Sequence, residues 1–382
     1  MFEIQVATSI TQIEEKAWNG LAGEATMARR EWHRVVEETM VTPAGWRYWL
    51  LQRDGCPVGC LSATVYGEEA GGLDLDLGLY GRGAGLARVT GLAVMPAMEC
   101  GTRDGGAPVV LVAPELDGGE RREVVRRLVE AAEETARSEG WSVVMRGVGN
   151  GETELRRILG ELGYVATREY GTARLDLPAG PFSEYLLQVR RANPKLAKNV
   201  RREIGLAAKN GLTMERLRRP EECDDSLFRL LASHWTRLNG GRPPMREGFL
   251  GAVLAYMGER SRITVARAEG ELVGMRVTFR SGERELARYI GVDRERGRAS
   301  ATYFNLGYNS LVREAMADGV RQVCYGKLLY EMKARRGCRV EEREMYVRPT
   351  GGWQRGVWRL FFPVRSRMLA KQWGMMPKAG VR

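Results

Sequence analysis

The sequence predicts an α/β (α+β) protein of two tandem domains, each a mixed, mostly antiparallel sheet flanked by helices. Three observations carry this. A chain of 382 residues is long for one hydrophobic core and natural for two. Strand-like and helix-like patterns alternate along it. The second half repeats the grammar of the first: a strand pair, a strand, a helix, a strand and a terminal strand. Apolar residues make up 44% and charged residues 28%, a globular composition.

In the first half, residues 2–7 read as a strand. Residues 11–21 read as a helix, with Thr11 as N-cap and Glu14 completing a capping box. Residues 46–52 and 58–66 form a hairpin around Arg53-Asp54-Gly55. Residues 109–112 are a short buried strand. Residues 119–140 are a strongly amphipathic helix, with Val124, Leu128, Ala131, Ala132 and Ala136 on one face. A strand at 141–146, a helix at 152–162 closed by Gly163, and a returning strand at 164–177 complete this half.

In the second half, residues 263–268 and 272–279 form a hairpin around Glu269-Gly270-Glu271. A strand follows at 285–292, then an amphipathic helix at 302–317 ending at Gly319. Strands at 322–325 and 341–347 close the pattern. The join falls near Pro178-Ala179-Gly180-Pro181, where Pro and Gly cluster. The expected division is therefore 1–178, 179–350 with the reaction site, and a tail, 351–382.

After the join comes a basic helical arm. Asn193 caps it and Pro194 takes the first helical position. Leu196, Val200, Ile204 and Ala207 fall on one face, and Lys195, Lys198 and Arg202 on another with Arg201 beside them. The net charge is +11, and seven of the basic residues lie in the acid-free tail: Arg355, Arg359, Arg365, Arg367, Lys371, Lys378 and Arg382. Val357, Leu360, Phe361, Val364 and Met368 are interleaved at helical spacing, which Pro363 should break or kink. Such a tail either docks its apolar face on the body or binds a polyanion. Peripheral contact with an anionic membrane surface is a third role for it.

Other chemistries find little support. No stretch approaches a membrane span, and the first residues carry no basic and apolar leader, so the chain is expected in the cytoplasm. The six cysteines form no CxxC pair and only His33 and His234 exist, so no metal site is expected. Both histidines sit beside Trp in helical runs, with no nucleophile motif to serve, and packing or a local hydrogen bond is their expected role.

The informative stretch is Arg288 to Ala301, where a strand runs into a short loop and a helix starts at once. Arg294-x-x-Gly297-x-Ala299 matches the R/Q-x-x-G-x-G/A pattern of the GNAT superfamily. Gly297 allows close approach of an anion, small residues at 299–301 stay out of the way, and the helix N-terminus favours a phosphate. Arg294, Arg296 and Arg298 add charge, and Ile290, Val292 and Ser300 complete the candidate donor-binding set. A second match, Arg82 to Ala87, follows an irregular Gly-rich run and reads as a loop, not a phosphate cradle.

A second stretch, Tyr325-Gly326 to Lys333-x-x-x-Gly337, follows the next strand. With the basic arm, the 263–279 hairpin and the loop above, it gives a chain that resembles the FemABX-like branch of the GNAT superfamily. It is also similar to bacterial proteins of the peptidoglycan biosynthesis or recognition type. The resemblance implies two GNAT-like domains, the first degenerate. It also implies transfer of an aminoacyl group from aminoacyl-tRNA to an amine acceptor, such as a cell-wall precursor or specialised metabolite. It places Lys333 where a Lys helps stabilise the tetrahedral oxyanion, with Tyr325 as a second catalytic candidate. The helical hairpin that the family often inserts for tRNA is missing from the sequence pattern.

No general base stands out. Asp293, Glu331, Glu342 and Glu344 read as surface partners, and orientation plus carbonyl polarisation near residues 290–292 would supply the rate. The tRNA-binding set is Lys195, Lys198, Arg201, Arg202, Arg355, Arg359, Arg367 and Lys371. No tightly bound cofactor is expected, and the co-substrate is aminoacyl-tRNA or, on the alternative reading, acyl-CoA. A non-catalytic binding protein on the same fold is the third reading.

Overall fold

In the computed structural model, which describes residues 1–41, 43–67, 75–102 and 107–374, thirteen strands form. They are β1 (Phe2–Ala7), β2 (Gly45–Arg53), β3 (Cys56–Tyr66), β4 (Ala97–Cys100), β5 (Val110–Val112), β6 (Ser142–Gly149), β7 (Val165–Asp176), β8 (Leu212–Leu217), β9 (Ser261–Ala268), β10 (Glu271–Ser281), β11 (Arg284–Val292), β12 (Gln322–Gly326) and β13 (Arg339–Val347). Two units result. One joins Met1–Tyr170 to Glu342–Trp373, and the other is built on Gly171–Glu341. The tail helix thus folds with the first unit.

The two units share one strand plan. In the first, β1 to β4 run antiparallel in sequence order, β4 pairs parallel with β6, and β6 pairs antiparallel with β13. The short β5 adds to β3. In the second, β8 to β11 run antiparallel in order, β11 pairs parallel with β12, and β12 pairs antiparallel with β7. This is the α/β architecture expected, with a mostly antiparallel sheet in each half.

The terminal strands are exchanged. Residues 343–347, read as the close of the second half, pair with β6 in the first unit. Residues 173–176, read as the close of the first, pair with β12 in the second. Alternating polarity marks a segment as a strand but does not name its neighbour, which packing decides.

In the first unit, the helix Gly118–Glu139 buries Val124, Leu128, Ala132 and Ala136 against Trp49, Leu51, Val143 and Met145. That is the face its periodicity marks. Asp117 and Glu120 form its capping box, and Gly140 closes it in the left-handed region. At the N-terminus the capping box belongs to Ser9 and Gln12, around a 3-10 turn, and the first α-helix is Glu15–Ala22. The Thr11 and Glu14 pairing is therefore corrected by one short turn. β4 was not legible, because Pro and Gly around it mask four strand residues. The tail forms one helix, Gly352–Gly374, that continues through Pro363 and buries Trp358 and Phe362. Arg365 is buried too, donating to the carbonyls of Leu79, Gly78 and Arg168. The second loop match, Arg82 to Ala87, lies in a 3-10 turn and the short helix Ala84–Val89.

In the second unit, the helix Phe182–Ala192 and the capped arm Pro194–Lys209 precede β8. Helices Asp225–Asn239 and Phe249–Met257 follow it. Cysteines 60, 100, 324 and 338 are buried, and all six are free thiols. No helix among the described residues is long and apolar enough to cross a membrane.

Candidate active site

β11 and β12 pair over Arg284–Leu286 with Gln322–Cys324 and no further. Beyond that point β11 continues to Val292, and a cavity of about 320 Å³ opens beside the unpaired stretch. One wall is Ala287 to Ile290 of β11. Opposite stand Tyr325 and the segment Lys327 to Leu329, with Lys333.

A third wall is the helix Asp225–Asn239, which contributes Leu231, His234, Trp235 and Leu238. Asp224 caps this helix through its side chain, and Gly240 ends it in the left-handed region. Gly291 lets it come close: a Cβ there would stand 3.0 Å from both Cα and N of Leu231. Contact of backbone with backbone brings His234 onto the end of β11. Its Nδ1 accepts from the Val292 N–H at 3.3 Å and from Arg237 Nη2 at 2.8 Å. With Nδ1 accepting, the ring proton sits on Nε2, which is buried and has no partner. Burial pushes the His234 pKa down, the contact with the Val292 backbone opposes this, and the charge of Arg237 lowers it further.

The helix after the Arg294–Ala301 turn forms the floor. It starts as Thr302–Phe304, widens to a π-helical turn over Asn305–Asn309 and continues as Ser310–Ala317. A π-turn disturbs the i to i−4 ladder and frees a carbonyl. Here the guanidinium of buried Arg276 donates to the Leu306 carbonyl, and its other nitrogen donates to Glu314 at 2.7 Å. Tyr303 and Tyr308 from the same stretch line the cavity, and Tyr308 stacks on Tyr325 at 4.7 Å.

Lys333 lies on the short helix Tyr330–Arg335 and is buried. Leu328 and Leu329 precede it with φ of 64° and 52°, left-handed conformations costly for non-glycine residues. This tight reversal returns Lys333 Nζ to the end of β12. There it donates to the carbonyls of Tyr325 (2.8 Å), Gly326 (3.2 Å) and Lys327 (2.7 Å). All three ammonium protons are thereby taken. Burial lowers its pKa to about 8, with nearby Arg288 adding to the effect. Burial also raises the Tyr325 phenol well above its ordinary value.

The structure therefore brings Ile290, Tyr325 and Lys333 together at one cavity. Val292 is one bond away through His234. The turn from Arg294 to Ser300 does not line the cavity. Its amides largely serve the turn itself: Asp293 Oδ1 accepts from Glu295 and Arg296, and the Asp293 carbonyl accepts from Gly297. Thr302 N–H goes to the Gly297 carbonyl. A Cβ at Gly297 would meet the Asp293 carbonyl at 2.7 Å, so this glycine serves the packing of the turn. Arg296 pairs with Glu271, and Arg294, Arg298 and Ala299 are exposed, while Ser300 is buried.

On the arm, Lys195, Lys198, Arg201 and Arg202 are all exposed, and Leu196, Val200 and Glu203 face inward. In the first unit, Arg359 and Arg367 are exposed and Arg355 is half-buried. The side chain of Lys371 and residues 378 and 382 lie outside the described residues. Sequence reasoning gave His234 only packing or a local hydrogen bond, and passed over its neighbour Trp235, Arg276 and the two cavity tyrosines. A capped helix from Asp224 to Gly240 was the available signal for the first pair. Arg276, at an inward strand position, gave none.

Residues 194–334 match the family model described as an acetyltransferase (GNAT) domain. No curated protein matches the chain. Among solved structures, FemX is 13% identical, with 90% of this chain and 96% of that one covered and a TM-score of 0.58. L-PGS from Bacillus licheniformis is 10% identical, with 89% and 96% covered and a TM-score of 0.51. At such identities the likeness is one of fold. Residues 194–334 of the second unit are thus similar to an acetyltransferase (GNAT) domain, and the chain shares the fold of FemX and L-PGS.

Proposed function

We propose that the protein transfers an aminoacyl group from aminoacyl-tRNA to an amine, forming an amide. The observation that carries this reading is the cavity where β11 and β12 part, set in the same unit as the exposed basic face of the helix Pro194–Lys209. In this reaction the amine nitrogen attacks the ester carbonyl, the C–N bond forms, the C–O bond to the ribose breaks, and the amine proton passes to water or to the leaving oxygen. Strand residues direct their N–H groups to alternate edges. The Ile290 N–H therefore shares the edge of the Val292 N–H, which His234 occupies. In this reading Ile290 polarises the carbonyl. Lys333 holds the lip of the cavity through its three carbonyls, and it reaches the oxyanion only by releasing one of them.

Exposed cations Lys195, Lys198, Arg201 and Arg202 receive tRNA phosphates, with Arg355, Arg359, Arg367 and Lys371 proposed as further contacts. Filter binding with total tRNA tests the donor. Retention at low salt that falls steeply as salt rises is expected. No retention even at low salt removes the proposal.

Acyl-CoA is the second reading, favoured by the strand–turn–helix at Arg294-x-x-Gly297-x-Ala299. A thermal shift with millimolar acetyl-CoA is its test. The self-satisfied amides of the turn weigh against it.

A further inference from the structure

The tail helix Gly352–Gly374 is apolar on two opposite faces, and the body of the first unit covers one of them. On the covered face Trp358, Phe362 and Leu369 are buried, and Trp358 Nε1 donates to the Tyr80 hydroxyl at 2.8 Å. On the other, Trp353, Leu360, Val364 and Met368 are 63%, 78%, 50% and 65% exposed. At 3.6 residues per turn, Trp353, Leu360 and Val364 fall within about 40° of one another and about 160–180° from Phe362. A surface helix ordinarily turns polar and charged side chains outward. Single exposed apolar residues need no explanation, but four along one outward stripe do.

Arg367 stands in the same stripe and Arg359 at its edge, both exposed. Neither forms an ion pair among the described residues, and residues 351–382 contain no Asp or Glu. What covers such a face must offer both negative charge and an apolar phase. A nucleic-acid backbone pairs with the arginines but leaves Leu360 and Val364 in water. A second copy of the chain brings its own arginines against these, like against like. An anionic lipid surface meets both needs. Its phosphates receive the guanidinium groups, its acyl boundary receives the aliphatic side chains, and Trp prefers the level between them.

We propose that the outward face of the tail helix lies flat on the anionic surface of a lipid bilayer. Trp353, Leu360, Val364 and Met368 enter the headgroup boundary, and Arg359 and Arg367 pair with lipid phosphates. The inference does not depend on the acyl donor. It moves Arg359 and Arg367 from tRNA to lipid and leaves the four arm cations to tRNA.

Co-sedimentation of the full chain with vesicles provides the test, using phosphatidylcholine alone and an equal mixture of phosphatidylcholine and phosphatidylglycerol. Binding to the mixed vesicles is expected to be at least about tenfold tighter than to phosphatidylcholine. The arm cations also attract anionic lipid, so the deciding variant keeps every charge. The double substitution Leu360→Ser, Val364→Ser should weaken binding to mixed vesicles at least about tenfold. It should leave tRNA retention and urea unfolding as in the parent, because both side chains face outward. The pair Arg359→Gln, Arg367→Gln should cost about fivefold for each charge removed, the equivalent of about 1 kcal/mol. No binding to mixed vesicles, or equal binding by the serine variant and the parent, overturns the proposal. Loss of tRNA retention in the arginine variant with vesicle binding intact gives the face to tRNA and overturns it as well. Self-association that the serine variant abolishes, with vesicle binding intact, gives the face to a second copy. Filter binding without vesicles reads tRNA alone, so the two proposals fail separately.

Discussion

Arg336 clasps Glu203 in a two-pronged ion pair, with Nη2 at 2.7 and 2.9 Å from the two carboxylate oxygens. The partners are 133 residues apart and both are buried. Glu203 sits on the inner face of the basic arm, and Arg336 lies just beyond Lys333. Phe304 and Tyr308 cover the guanidinium at 4.8 and 4.6 Å, and Asn309 donates to Glu203. The arm is thus bolted to the cavity floor by charge, while its cations stay outside.

Removing one partner strands the other. Glu203→Gln should destabilise the second unit by about 3–5 kcal/mol, since a buried guanidinium then lacks its counter-charge. A Glu203→Leu, Arg336→Met double variant should recover much of that loss. Urea unfolding of the single and double variants reads both. An additive double variant would mean that the pair is not coupled.

Lys333→Met leaves three carbonyls at the end of β12 without their donor. A loss of about 2–3 kcal/mol is expected, together with reduced turnover once an assay exists. Lys333→Arg should not restore either, because a planar fork cannot serve three carbonyls around one nitrogen. Full stability with lost turnover would instead assign Lys333 to the reacting atoms directly.

His33 offers a pH signature in the first unit. It is buried against Trp18 and Tyr48, and burial lowers its pKa from the usual 6.5 to about 3. Above pH 6.5 neither folded nor unfolded chain holds the proton, and the stability is fully present. As the pH falls from 6.5 toward 3 the unfolded chain takes up a proton that the folded one refuses. Stability is then lost at about 1.4 kcal/mol per pH unit. Unfolding monitored by tryptophan fluorescence should show this slope, and His33→Phe should flatten it. An unchanged slope in the variant would assign the acid sensitivity to other groups.

Charge reversal of Lys195, Lys198, Arg201 and Arg202 leaves the buried face of the arm untouched. The salt dependence of tRNA binding should become shallower by up to about four, one for each phosphate that the arm no longer neutralises. An unchanged slope would move the polyanion surface away from the arm.

Local features were legible because they depend on neighbours in sequence. Asn193 before Pro194 announced the arm, Gly140 and Gly163 announced helix ends, and Glu269-Gly270-Glu271 announced a hairpin. Each is a matter of local dihedral preference and hydrogen bonding. The cavity was legible only in part. Tyr325 and Lys333 follow a recognisable strand. Arg276 instead owes its role to a π-turn 30 residues away, and His234 owes its tautomer to a strand end 58 residues away.

The sequence by itself determined that the chain forms two α/β units with matching element orders, and where the basic arm begins. Those properties follow from periodicity, capping and charge. Tertiary structure alone decided that 343–347 closes the first sheet and 173–176 the second, that most amides from Glu295 to Thr302 serve their own turn, and that Lys333 turns inward. Strand partners, the spending of amides and the burial of a charge depend on residues far apart in the chain. Only packing, by taking these groups out of water, decides which of their partners they meet.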